Sequence, residues 1–263
     1  MRGAALLAAL VLSGPATADT WAEVDIAILG EVHDNPAHHE RQADLVSTIE
    51  PAALVFEMLT EDQAAAVNPD NRADADRLGR ALGWAESGWP SFDMYYPIFA
   101  AAPQAATYGA AVPRSAARAV MTDGMVDAFP GDPARFGLDQ PLPDDQQARR
   151  ERLQMAAHCD ALPETMLPMM VSVQRLRDAT LASVALAALE ETGGPVVVIT
   201  GNGHARTDWG APAAIALAAP AVEVRSLGQG ETDTGAPRGS FDVVEIGPTV
   251  DRDDPCEAFR DAG

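Results

Sequence analysis

The sequence predicts a single α/β domain whose mostly parallel central sheet is flanked by helices. Three short apolar runs, at residues 26–29, 52–56 and 196–199, have the length and composition of buried strands. A helical stretch separates the first two, as a parallel crossover requires. Polar residues follow each run at once, which is where α/β folds place their sites.

The first helix has the clearest boundaries. Asn35 is a good N-cap, Pro36 occupies the first helical position, and Pro51 ends the helix. The spacing of His38, Gln42, Leu45 and Ile49 puts these residues on one stripe, so His38 is predicted to face inward.

The later elements follow from periodicity and from breaks at glycine and proline. In chain order we expect a helix at 61–82, a loop and short helix at 84–99, a weak strand at 105–112, a helix at 115–121, a surface excursion at 122–145, a helical stretch at 147–191, a helix from 212, and strands near 222–226 and 241–246. The acidic tail beyond Pro248 is predicted to be loose, apart from Cys256.

The N-terminus has the pattern of a secretory signal. Arg2 is followed by an apolar stretch at 6–12 and by the small residues Ala16-Thr17-Ala18, which predicts cleavage after Ala18. No run reaches the roughly 18 apolar residues of a membrane span. We therefore expect a secreted, periplasmic protein without a transmembrane segment.

Charge limits the classes of partner. The formal net charge is -21, with 39 acidic and 18 basic residues, and every basic residue is arginine. A field of this sign repels nucleic acid. Nucleic-acid binding and lysine-based catalysis are therefore excluded.

Cys159 and Cys256 are the two cysteines. An oxidising compartment would allow them to pair, which would tie the C-terminal tail to the middle of the chain. The alternative is two unpaired thiols.

Most candidate site residues follow predicted strands. Glu31 and His33 follow the first strand, Glu57 the second, and His204 the strand at 196–199; His38 and His39 lie on the first helix, and His158 on a later one. Two chemistries use such a set. A divalent ion such as zinc could take His33, Glu57 and His204 as ligands. Haem needs an axial histidine or tyrosine and apolar walls, which the aromatic segment at 84–99 could supply.

Several motifs resemble those of the ChaN-like haem-binding family. They are ILGEVHDNPAHHERQ, LVFEML, the segment with Trp89, Pro90, Tyr95 and Pro97, VPRS at Arg114, His158-Cys159, the segment 174–178 and GNGHARTDWGAP. They keep the family's order over residues 24–212. The chain has no lipid-accepting cysteine, so membrane anchoring is not carried over.

The resemblance implies haem binding in an iron-uptake setting. It further implies a homodimer that encloses two stacked haems, with a tyrosine as axial ligand and a partner histidine at a propionate. Tyr95 matches the motif tyrosine and adjacent Tyr96 is the alternative; the histidine is His33, His38 or His39. Further candidate cofactor contacts are His158, His204, Arg114 and Arg206. The implied domains are a signal peptide at 1–18, the haem-binding domain at 19–228, and a C-terminal strand with an acidic tail at 229–263.

The sequence also resembles a wider group that contains Tiki proteases and erythromycin esterases, and this resemblance suggests an alternative function. Gly30-Glu31-Val32-His33 fits the G-x-x-H element of that group. The alternative is a metal-dependent or histidine-assisted hydrolase that uses Glu31, His33 and Glu57, with Glu31 or His33 as general base.

Overall fold

The computed structural model describes residues 20–254 and 256–257, so the predicted signal at 1–18 lies outside the described residues. It shows one α/β domain with a six-stranded, all-parallel sheet. The predicted fold class is confirmed. No helix in the described part of the chain has both the length and the apolar character of a membrane span.

The strands are β1 (Ile26–Glu31), β2 (Ala53–Phe56), β3 (Ala106–Gly109), β4 (Val196–Gly201), β5 (Val224–Glu231) and β6 (Val243–Gly247). The helices are α1 (Pro36–Ile49), α2 (Glu61–Ala65), α3 (Pro69–Arg72), α4 (Ala75–Ala81), α5 (Phe92–Ala101), α6 (Arg114–Thr122), α7 (Met125–Ala128), α8 (Asp144–Ala157), α9 (Leu167–Thr192) and α10 (Ala211–Ala218). The strand order is β3-β2-β4-β1-β5-β6.

Alternation along the strands divides the core into two layers. In β1, Ile26 and Ile28 pack into the cluster that contains α9 and α10, whereas Ala27 and Leu29 pack into the cluster that contains α1 and α5. All four side chains are fully buried. Helices therefore cover both faces of the sheet, which explains why the central strands are almost uninterrupted apolar runs.

The strand register delivers polar residues to one edge. Glu31 is paired with Gly201, and Phe56 with Ile199, so Glu57 lies at the level of Thr200. Because β1, β2 and β4 run parallel and adjacent, their carboxyl ends form one continuous rim. The site described below lies on this rim.

The predicted helix at 61–82 is wrong in one respect, because the structure divides it into three short helices. Asn68 caps α3 with Pro69 in its first turn, and the Asp74 side chain caps α4 by accepting from the Arg77 N–H. Each cap satisfies free N–H groups and so starts a new helix where the pattern suggested a continuous one.

The predicted surface excursion at 122–145 instead contributes to the core. It contains α7 and a 3-10 turn, and Phe129, Phe136 and Leu138 are buried. The rings of Phe129 and Phe136 lie 5.5 Å apart, nearly edge to face. The segment is rich in glycine, proline and aspartate, which is typical of surface loops. Its three buried apolar residues are spaced too irregularly to show a periodic pattern, so the sequence did not predict their burial.

The C-terminal segment is held at two points. The predicted disulfide between Cys159 and Cys256 is confirmed. Arg252 bridges Asp34 and Glu231 with N···O distances of 2.6 to 2.8 Å. The expectation of a loose tail is therefore wrong for residues 249–254, because charge-assisted hydrogen bonds fix them to the loop after β1.

Close backbone contact across Gly210 fixes the loop between β4 and α10. A Cβ at Gly210 would lie 2.2 Å from the His204 carbonyl oxygen, whereas one at Gly203 meets nothing within 4 Å. We expect Gly210→Ala to lower the free energy of unfolding by about 1 to 3 kcal/mol, because the loop must shift. Equilibrium urea unfolding measures the loss, with Gly203→Ala as the near-neutral control. Equal midpoints for the two variants would contradict this account of the loop.

Candidate functional site at the carboxyl edge of the sheet

A buried carboxylate organises the centre of the site. Glu31 is the last residue of β1 and only 2% exposed. Its Oε1 accepts hydrogen bonds from the Tyr95 hydroxyl at 2.9 Å and from His33 Nδ1 at 2.8 Å. Its Oε2 lies 3.3 Å from His39 Nδ1. The two donors at Oε1 offset part of the cost of burying the charge.

The bond to Glu31 fixes the state of His33. Because a carboxylate only accepts, Nδ1 must carry the proton, and in the neutral ring Nε2 then has a free lone pair. No described residue hydrogen-bonds Nε2, and the His33 side chain is 36% exposed. The Trp89 ring lies edge-on at 4.8 Å between centroids. His33 is therefore an oriented imidazole beside an aromatic wall.

Burial lowers the pKa of His33, but Glu31 and Glu57 outweigh that effect and raise it above its usual value. Tyr95 is fully buried, and burial, together with Glu31, raises the pKa of its phenol well above the usual range. The Tyr95 hydroxyl therefore stays protonated and acts as a donor to Glu31.

His39 completes the surroundings of Glu31. Its Nε2 donates to the His33 carbonyl oxygen at 2.9 Å, so Nδ1 lacks a proton in the neutral ring. The contact of Nδ1 with Glu31 Oε2 is outside hydrogen-bond geometry, and neither atom has another partner among the described residues.

A second charged group lies beside the first. Glu57 Oε2 accepts from the Thr200 hydroxyl at 2.6 Å and from the Gly201 N–H at 2.8 Å. Its Oε1 lies 3.6 Å from His204 Nε2, and His204 Nδ1 lies 2.6 Å from Asp178 Oδ1. Burial opposes the charge on His204, but Glu57 and Asp178 raise its pKa to about 9. His204 is thus an imidazolium between two carboxylates.

The two groups meet over Gly201. A Cβ there would lie 2.9 Å from His33 Nε2, so a larger residue would displace the imidazole, whereas Glu57 Oε2 at 3.8 Å would be in ordinary contact. The structure thereby brings together Glu31, His33, His39, Glu57, Tyr95 and His204 from four distant segments.

The comparisons with known proteins identify the family. Residues 17–215 match the family described as haem-binding uptake, Tiki superfamily, ChaN. The chain belongs to this ChaN family. No curated protein matches it significantly.

Solved structures agree at the level of the fold. The structure of ChaN of Campylobacter jejuni, described as showing cofacial heme binding, superposes with a TM-score of 0.62 at 18% identity, over 80% of this chain and 84% of that chain. The type III effector HopBA1 gives a TM-score of 0.46 at 14% identity, over 89% of this chain and 92% of that chain. Only the first contributes to the argument, and it supports the ChaN fold.

Two of the five histidines lie outside the group around Glu31 and Glu57. His38 accepts from the Val32 N–H at 3.0 Å through Nδ1 and donates to the Gly230 carbonyl oxygen at 3.1 Å through Nε2, and it is only 1% exposed. Both ring nitrogens are used to hold α1 against the sheet, so none remains for a cofactor. His158 ends α8, where Nδ1 bonds to the Gln154 carbonyl oxygen.

The remaining residues that were predicted to contact a cofactor differ in how accessible their side chains are. Tyr96 is half-buried, with its ring 6.2 Å from that of Phe92. Arg114 is exposed at the start of α6. Arg206 is buried, and its guanidinium binds Asp208. Neither Arg114 nor Arg206 contacts the group around Glu31.

The metal-centre alternative is not supported. Within the described residues, no three His, Cys, Asp or Glu side chains are arranged to hold a metal ion. The suggested set of His33, Glu57 and His204 fails because His204 bears charge and faces Glu57 as an ion pair. A protonated imidazole has no lone pair to offer a metal.

Sequence reasoning missed Asp178. It lies on α9 and is only 6% exposed. The signal was present, since Asp178 follows the buried Val171 by seven residues and precedes the buried Ala182 and Ala185 by four and seven. A carboxylate on the apolar stripe of a helix requires a partner, and here the partner is His204.

The ion pairs of His204 make stability depend on pH. Its pKa rises from 6.5 to about 9 on folding, so the stabilisation is complete below pH 6.5 and is lost as pH rises through about 9. We expect the advantage of the wild type over His204→Gln to shrink by on the order of 3 kcal/mol between pH 6 and pH 10. Urea unfolding at several pH values measures it. A difference independent of pH would contradict an imidazolium at this position.

Proposed function

We propose that this protein binds haem at the carboxyl edge of the sheet and serves in haem or iron uptake in the periplasm. One observation carries the proposal. In a chain of the ChaN family, His33 has Nδ1 fixed on Glu31 and Nε2 free of protein partners beside Trp89 among the described residues. A carboxylate that holds the far nitrogen of an imidazole is the usual support for a metal-ligating histidine.

The residues present fit haem better through His33 than through Tyr95. His33 Nε2 is a donor atom at a partly open rim, whereas the Tyr95 hydroxyl is buried and bonded to Glu31. If haem binds here, the lone pair of His33 Nε2 would bind its iron, and the aromatic segment at 84–99 would contact its apolar macrocycle. Glu31 would orient the ring, and the Tyr95 hydroxyl would hold Glu31.

The hydrolase alternative is not favoured by this geometry. Glu31 is only 2% exposed and its Oε1 already accepts from Tyr95 and His33, so it is not placed to take a proton from water. Glu57 is held by Thr200 and Gly201 and paired with His204. His33 Nε2 is the basic atom that remains, and it is the atom assigned to haem.

Location, uptake and dimerisation are further parts of the proposal. Secretion is supported by the N-terminal signal pattern and by the Cys159–Cys256 disulfide, which oxidising compartments preserve. The ChaN structure from Campylobacter jejuni is one of cofacial haem binding by that protein. A homodimer that pairs two haems is the corresponding arrangement for this chain.

Titration with ferric haem tests the proposal. We expect a shifted Soret band, and an affinity at least about tenfold weaker in His33→Ala, because the oriented nitrogen is lost. Tyr95→Phe should keep the band, since the bond between His33 and Glu31 remains. His158→Ala is the matched control, as that imidazole ends α8 away from the site.

Two results would contradict the proposal. The first is a wild type whose Soret band does not shift with stoichiometric haem. The second is loss of the band in Tyr95→Phe with retention in His33→Ala, which would make the tyrosine the ligand.

A further inference from the structure

A cavity of 430 Å³ lies between α8, α9 and the loop that follows β4. Its volume is within the range of about 300 to 1,000 Å³ of small-molecule sites. Its lining includes His204 but neither His33 nor Trp89, so it is separate from the face assigned to haem.

Arginine dominates this cavity. Arg150, Arg206 and Arg238 line it, and an adjoining cavity shares Arg206 and Arg238 and adds Arg149 and Arg152. In a chain with 39 acidic and 18 basic residues, five arginines around two adjoining cavities form a local field opposite in sign to the net charge.

The neighbouring carboxylates are already engaged. Asp208 binds Arg206, Asp145 binds Arg149, and Asp178 binds His204. No carboxylate in the described part of the chain pairs with Arg150 or Arg238. These two guanidinium groups therefore keep their charge available to a ligand.

Arg150 has the environment of an incomplete site. It is half-buried, and its Nε is buried without a hydrogen-bond partner among the described residues. Its terminal nitrogen reaches only a neutral group, the Gln146 amide, at 3.3 Å. Burial lowers the pKa of Arg150; Asp178 and Asp208 partly oppose that effect, and Arg175 and Arg206 add to it. Neither carboxylate forms a salt bridge with Arg150, and a desolvated cation without a hydrogen-bonded counter-ion is unfavourable, so a bound anion would lower that cost.

Trp209 holds the arginines in place. The guanidinium carbons of Arg206 and Arg150 lie 3.7 and 5.0 Å from the centre of its ring. Such stacking leaves the edges of a guanidinium free to bind an oxyanion through two parallel hydrogen bonds. The side-chain amides of Gln154 and Gln174 also line the cavity, and neither bonds to a described residue.

We propose that this cavity binds a small molecule that bears an oxyanion, a carboxylate or a phosphate. Arg150 and Arg238 hold the anionic group, and Gln154 and Gln174 bond to the polar body of the ligand. The site does not depend on the haem proposal. Of the candidate haem contacts, the cavity lining includes His204, whose ring is paired with Glu57 and Asp178, and Arg206, whose guanidinium is bound to Asp208.

Calorimetric titration of the full chain with inorganic phosphate and with succinate tests this site. We expect at least one of them to bind with one-to-one stoichiometry, and Arg150→Gln and Arg238→Gln each to weaken it by about tenfold or more, since each removes a charge-assisted hydrogen bond. Preference for phosphate or succinate identifies the kind of oxyanion. Arg238 is exposed, so we expect Arg238→Gln to leave the stability of the protein unchanged and to report on the site alone.

Arg118→Gln is the matched control, because Arg118 is an exposed arginine on α6 away from the cavity lining. It should leave anion affinity unchanged, as should His33→Ala. Failure of both anions to bind the wild type would overturn the proposal. Equal weakening by Arg118→Gln and Arg238→Gln would also overturn it, since it would reveal a general charge effect. Loss of the haem Soret shift in Arg150→Gln would overturn the separateness of the two sites.

Discussion

The burial of a carboxylate at the end of the central strand is the constraint on which the site depends. Glu31 follows directly on the apolar residues of β1 and has almost no contact with water. A charge in that position is tolerated only if several donors are aimed at it. Tyr95 from α5 and His33 from the loop after β1 supply these donors, and His39 from α1 packs against the other carboxylate oxygen. Their orientation is therefore a consequence of the fold, and so is the free nitrogen of His33.

The parallel sheet supplies the geometry for this arrangement. Adjacent strands end at one rim, so Glu31, Glu57 and Gly201 are neighbours although they are far apart in sequence. Glycine at 201 leaves space for the His33 imidazole. Two charged groups lie at the rim: the Glu31 carboxylate, which accepts hydrogen bonds, and the His204 imidazolium, which lies between two carboxylates. The ion pairs of His204 stabilise the loop after β4. The hydrogen bond between Glu31 and His33 leaves the lone pair of His33 Nε2 available to a ligand.

Sequence reasoning predicted the strands and the polar residues that follow them at the edge of the sheet. Apolar runs that end in Glu31, Glu57 and His204 are visible because strand length and burial leave a direct pattern. The same reasoning did not predict which histidines are structural. His38 bonds to the Gly230 carbonyl oxygen, 192 residues away, and no local pattern indicates such a partner. Spacing placed His38 inward correctly, but only the tertiary structure shows that both of its nitrogens are used.

The breaks in the segment 61–82 and the buried phenylalanines at 129 and 136 show a related limit. Short helices capped by Asn68 and Asp74 keep a helical composition throughout, so periodicity alone joins them. Irregular segments can also bury single large side chains without any repeat. Local patterns thus predict long regular elements well, and they predict poorly the contacts between distant segments that complete a site.

The tautomer of His33 tests most directly whether Glu31 organises this site. Long-range proton–nitrogen NMR spectra of the histidine rings, with the His33 signals assigned by their loss in His33→Ala, report which ring nitrogen carries the proton. At a pH above the pKa of the His33 imidazolium, the account predicts a protonated Nδ1 and an unprotonated Nε2. A ring with the proton on Nε2 would contradict it, because the bond to Glu31 would then be absent and Nε2 would have no lone pair for a ligand.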